Sequence, residues 1–122
     1  MIVTKRISPP YLQFFICDST LPENPVQGVE KIEIISNGKS LSVPCAYWEE
    51  AETELIVGSP EEVEGPQAPQ FDTVIPTPSR SIIFHDALLA ELLDYPTQTA
   101  ETRIRIWTDG SILPERVVVA VG

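Results

Sequence analysis

The stretch VEKIEIISNGKSLSVPCAY, Val29 to Tyr47, decides the fold class. Its first arm, Val29 to Ile35, is a run rich in strand-forming residues. Asn37-Gly38 follows, the favoured two-residue hairpin turn, and suits a type I′ geometry because both central residues there take positive φ. In the second arm Leu41, Val43, Cys45 and Tyr47 alternate with Ser40, Ser42, Pro44 and Ala46. That period of two sets one face against a core and leaves the other half solvated. Pro44 has no N–H for a ladder, so this arm is expected at a sheet edge or at a bulge.

Working outward, the same grammar repeats. YLQFFIC, Tyr11 to Cys17, is an aromatic and β-branched run entered through Pro9-Pro10. Asp18-Ser19-Thr20 and the prolines at 22 and 25 end it. Thr53 to Val57, Phe71 to Ile75 and Arg80 to Phe84 read as short strands separated by proline and glycine. Asp86 is a fair N-cap for a short helix to Leu93, with Leu88, Leu89, Leu92 and Leu93 on one face and Tyr95-Pro96 as its stop. Thr102, Ile104 and Ile106 alternate with Arg103, Arg105 and Trp107, and Val117 to Val121 is continuously apolar, as a strand buried on both faces would be. Short strands with turn signals between them predict an all-β fold: a single-domain antiparallel β-sandwich of roughly six to eight strands with one short helix. Phe14, Ile16, Leu41, Val43, Ile104, Ile106, Trp107, Val117 and Val119 are the expected core.

At 122 residues the chain, 1–122, is expected to form one domain, with an acidic, proline-rich loop around 58–70. A formal net charge of -10, from 18 acidic against 8 basic residues, repels polyanions. Direct binding to nucleic acid or to an anionic membrane is therefore disfavoured, and a basic protein partner is attracted. Lys5 and Arg6 precede an apolar run too short for a signal peptide, and no stretch has the length of a membrane span. Cytoplasmic location with reduced Cys17 and Cys45 is the expectation.

No catalytic set emerges. His85, the one histidine, neighbours Asp86, but adjacent residues on a backbone seldom point at each other. Cys17 and Cys45 fall in expected strands amid acidic residues, which works against a thiolate. One histidine and no Cys-x-x-Cys leave too few ligands for zinc, and the spaced aspartates of a calcium loop and phosphate-binding glycine patterns are missing. The expectation is a non-catalytic protein without metal or cofactor.

What stands out is the acidic middle. Glutamates occupy 49, 50, 52, 54, 61, 62 and 64, and no Lys or Arg lies between Lys39 and Arg80. One reading is a solvated stretch that keeps the protein dispersed. The other is a docking surface made of Trp48, Glu49, Glu50, Glu52, Glu61, Glu62 and Glu64, on which carboxylates imitate phosphate spacing for a basic partner such as a nuclease. Tyr47 and Trp48 would then be apolar anchors. The alternative function is a structural or assembly module forming homo-oligomers, with Arg103 and Arg105 pairing to the acidic loop of a neighbouring copy.

The two chain ends carry a resemblance. Ile7-Ser8, Tyr11, Gln13-Phe14 and Asp18-Ser19-Thr20 are similar to the opening of the competence protein J family, inhibitors of a bacterial DNA-entry nuclease. A helix-like segment before Tyr95, then Arg105-Ile106-Trp107 and a last apolar strand, resemble the closing elements of that family. The Glu-rich middle departs from its pattern. The resemblance implies a small acidic bacterial protein that binds and silences a nuclease.

Overall fold

The computed structural model describes residues 1–20 and 32–122. Its strands are β1 (Val3–Ile7), β2 (Gln13–Asp18), β3 (Ile35–Ser36), β4 (Ser40–Pro44), β5 (Thr53–Gly58), β6 (Phe71–Pro76), β7 (Ser81–His85), β8 (Glu91–Pro96), β9 (Glu101–Thr108) and β10 (Arg116–Val121). A single-turn helix, α1 (Pro60–Val63), follows β5, and a 3-10 turn at Pro10–Leu12 precedes β2. One sheet has the order β1-β5-β10-β9-β6 and the other β3-β4-β2-β7-β8. The fold is thus all-β, as the alternation predicts, with two sheets facing one core.

Alternation builds that core. Phe14, Ile16, Leu41, Val43, Ile82 and Phe84 come from one sheet; Leu55, Val57, Ile104, Ile106, Val117 and Val119 come from the other. Each is fully buried, which stabilises the fold by about 1.5–3 kcal/mol per large side chain. The apolar run Val117 to Val121 occupies the middle of its sheet, between β5 and β9. Its pairing with β5 is parallel, the one departure from an antiparallel sandwich among the described strand pairs.

Several details differ from the sequence reading. The described residues form ten strands rather than the roughly six to eight expected, and Pro60–Val63 forms a helical turn inside the expected loop. The described part of the first hairpin arm is strand only at Ile35–Ser36. The helix expected from Asp86 to Leu93 is a tight turn followed by strand β8. Asp86 Oδ1 accepts the N–H groups of Leu88 and Ala90 (both 2.9 Å), and Leu89 N–H donates to the Asp86 carbonyl. A segment that short gains little from helix nucleation, whereas pairing with β7 satisfies its backbone at once. The Asn37-Gly38 hairpin is present, but Ser36 pairs with Leu41 and Asn37 N–H donates to Ser40 O, so the two-residue loop is Gly38-Lys39. Only Gly38 has positive φ (+89°), the pattern of a type II′ turn. Asn37 serves instead through its side chain, accepting from Lys39 and Ser40 N–H. The part of the first arm at Val29–Lys31, with the prolines at 22 and 25, lies outside the described residues.

Strand β4 is neither an edge nor half-solvated. It lies between β3 and β2 and all five of its residues are buried, with Pro44 harmless at its last position opposite Gln13. Finally, Val3–Ile7 forms an edge strand that composition alone did not single out.

Candidate functional site

The strand registers decide which loops share an end of the sandwich. Ile7 lies opposite Thr53, Arg116 beside Glu54, and Val117 opposite Thr108. Phe71 pairs with Ile106, Gln13 with Pro44 and Phe15 with His85. Residues 8–12, 45–52, 66–70, 86–90 and 109–115 therefore emerge at one end. Their side chains include Glu49, Glu50, Glu52, Asp86, Asp109 and Glu115, and no Lys or Arg.

Two buried contacts hold this end together. The Thr53 hydroxyl accepts Ala46 N–H (2.9 Å) and donates to the Pro114 carbonyl (2.9 Å). Cys45 N–H donates to Leu12 O (3.0 Å). On this frame the chain turns at Tyr47, whose carbonyl accepts the N–H groups of Glu50 and Ala51. The turn presents Tyr47 and Trp48 to solvent, 37% and 50% exposed, with ring planes within 11° and centroids 6.4 Å apart. Beside them Tyr11 is 67% exposed, and both Tyr11 and Leu12 hold a φ of +64°, a conformation that costs bulky residues energy. Pro10, Tyr11, Leu12, Tyr47 and Trp48 line an open depression of about 410 Å³.

Carboxylates crowd the aromatic side. Tyr47 Oη donates to Glu49 Oε2 (2.9 Å), and this bond, with burial and the charge of Glu50, raises the phenol above its usual pKa. Glu49, Glu50 and Glu52 are all exposed. Exposed Ile112 and exposed Leu88 and Leu89 extend from neighbouring loops at the same end.

Glu61, Glu62 and Glu64 lie elsewhere. They follow β5, whose six residues span roughly 20 Å, at the opposite end of the sandwich. Glu62 closes a capping box on Ser59, accepting its N–H (3.0 Å) and hydroxyl (2.9 Å). It also accepts the Met1 amino group at 2.6 Å, and the amino group and Ser59 together hold its carboxyl down to about 2. Both oxygens of Glu64 accept from Arg105 (3.2 Å). Arg103 makes a two-pronged pair with Asp72. The acidic middle is thus two groups, one at the aromatic end and one that includes internally paired members, and both arginines have partners within the chain.

The candidates for chemistry are buried within the fold. His85 is buried and stacked on Phe15 (centroids 5.3 Å), with Nδ1–H donating to the Asp86 carbonyl (2.7 Å). The Asp86 carboxylate braces the 86–90 turn instead of facing the imidazole. Burial pushes the Cys45 thiol up to about 12, and Cys17 is also buried. Among the described residues no three His, Cys, Asp or Glu side chains are grouped to hold a metal, and no helix is long and apolar enough to cross a membrane. Sequence reading had already singled out Tyr47, Trp48 and the glutamates at 49, 50 and 52. It missed Tyr11, Ile112, Asp109 and Glu115, because only the strand order brings them to the same end.

No protein-family model matches the chain, and no curated protein matches it. Among solved structures it is similar to the crystal structure of ComJ, inhibitor of the DNA degrading activity of NucA, from Bacillus subtilis, with a TM-score of 0.68 and 10% sequence identity. The likeness covers 99% of this chain and 97% of that one, so it includes the Glu-rich middle and is not confined to the two ends. At that identity, what is shared is the fold.

Proposed function

We propose that this protein is a non-catalytic, acidic binding protein of the inhibitor type, which docks its aromatic, carboxylate-rich end on a basic protein partner of the nuclease class. The observation that carries this reading is the placement of an open aromatic depression among carboxylates, in loops without a single Lys or Arg. Exposed aromatics supply the energy of a docking site, while clustered charge supplies encounter rate and selectivity. A nuclease groove is basic because it must hold phosphates, so it is complementary to this end for the same reason that nucleic acid is repelled by it. The fold shared with a protein that inhibits a DNA-degrading activity supports the class of partner. Fold alone does not assign function, and the surface therefore carries the argument.

The test begins with capture of partners from host lysate at low salt, then a DNA-degradation assay of the fraction released by raising salt. Added protein should suppress that degradation in proportion to its amount, and a Glu50→Gln, Glu52→Gln double variant should suppress it less. A captured fraction whose DNA degradation ignores the protein would overturn the reading.

A further inference from the structure

Resting on the binding reading above, we infer that the depression lined by Pro10, Tyr11, Leu12, Tyr47 and Trp48 receives an arginine side chain of the partner, with its guanidinium on the aromatic faces and its charge beside Glu49 and Glu50. The tyrosine and tryptophan planes lie within 11° of each other, so a planar cation oriented for one is oriented for the other. Guanidinium is planar, weakly hydrated and stacks on aromatic faces, whereas an ammonium is a compact, strongly hydrated point charge. Pro10 and Leu12 offer apolar surface for the methylene stem. The Glu49 carboxylate is tethered to the rim by the Tyr47 hydroxyl, so a negative charge stays next to the rings rather than swinging into solvent.

Other occupants fit less well. An apolar side chain would cover the rings but leave the carboxylates at the rim without partners. A nucleic-acid base also stacks on aromatics, yet its phosphates would meet Glu49, Glu50 and Glu52 with no cation in these loops to neutralise them.

The experiment uses the whole protein and four probes: a short blocked glycine-serine peptide carrying one arginine, its lysine and citrulline counterparts, and a thymidine oligonucleotide. Binding is read from the Trp48 indole resonance. The indole N–H of the other tryptophan, Trp107, is held by the Gln67 carbonyl (2.9 Å) and serves as the internal reference. The arginine peptide should bind about two- to fivefold tighter than the lysine one, because the planar, weakly hydrated guanidinium stacks on the rings where the ammonium stays hydrated. Citrulline and the oligonucleotide should leave Trp48 unshifted. Trp48→Leu should erase the arginine preference, Trp48→Phe should keep part of it, and Glu50→Gln should weaken both cationic peptides alike. Equal binding of arginine and lysine, an unaltered preference in Trp48→Leu, or a Trp48 shift with the oligonucleotide would each overturn the inference. The two readings fail separately: a nuclease inhibited equally well by Trp48→Leu removes the arginine anchor and leaves the inhibitor. An arginine preference with no inhibited nuclease does the reverse.

Discussion

At the scale of single residues, two buried polar side chains, Asp18 and Thr53, tie loops to the sandwich through at least two hydrogen bonds each. Asp18 is 1% exposed, and its carboxylate accepts Thr20 N–H (3.0 Å), Ser79 N–H (3.0 Å), the Ser79 hydroxyl (2.7 Å) and the Thr20 hydroxyl. Burial alone would raise its pKa; the hydrogen bonds outweigh burial and hold it below the ordinary 3.8. A carboxyl whose pKa is lowered on folding stabilises the fold fully above its unfolded value and loses that contribution as pH falls below it. Asp18→Asn should therefore cost about 1–3 kcal/mol in urea melts at neutral pH, and the gap to the parent should narrow below pH 3.8. A gap that stays constant through acid would show that the charge is not what the site stabilises. Thr53→Val is the matching test at the docking end. It keeps the shape but strands Ala46 N–H and Pro114 O, so it should cost about 1–3 kcal/mol and speed amide exchange at Ala46. Core residues were legible at this scale because alternation reports burial: Phe14, Ile16, Ile104 and Ile106 are all at 0% exposure. Tyr11 was not legible. It opens an apolar run, and nothing in a tyrosine or a leucine announces the positive φ that turns it outward.

At the scale of elements, the instructive case is residues 86–93. ALLAELL has a helical leucine spacing, and Asp86 has the chemistry of a cap, yet the same carboxylate that caps a helix also closes a tight turn. Tertiary pairing chose between them, since β7 offers a partner strand on the spot. Leu89 records the outcome, with a φ of +64° and more than half its surface exposed. Leu89→Gly should accordingly stabilise the protein by about 0.5–1 kcal/mol, by relieving the left-handed backbone at little cost in burial. In a helix the same change would cost about 1 kcal/mol, so the sign of the shift in a thermal melt separates the two conformations. The capping box Ser59-Pro60-Glu61-Glu62 is the converse case. Its spacing and its proline at the first helical position are written in the sequence, but the surrounding prolines and glycine made the stretch read as loop.

For the whole molecule, a net charge of -10 says that a basic partner is attracted but not where. Sequence order groups Glu49, Glu50 and Glu52 with Glu61, Glu62 and Glu64; β5 then carries the second group to the far end. There Glu62 is held by Ser59 and the Met1 amino group, and Glu64 by Arg105. The strand read at Thr53 to Val57 already implies that separation. What no periodicity could reveal is the company of the first group, because it depends on β10 lying parallel to β5 in the middle of a sheet, which gathers distant loops at one end. The partition predicts unequal consequences for equal losses of charge. Glu50→Gln with Glu52→Gln should weaken partner binding by roughly tenfold and flatten its salt dependence, because those carboxylates adjoin the aromatic anchor. Glu61→Gln with Glu64→Gln removes the same formal charge from the other end, so it should slow association slightly through the weaker overall field and leave the dissociation rate alone. Surface plasmon resonance at two ionic strengths resolves both rates. If the two double variants behaved alike, total charge rather than the aromatic end would govern recognition, and the docking geometry argued from the loop arrangement would fall with it.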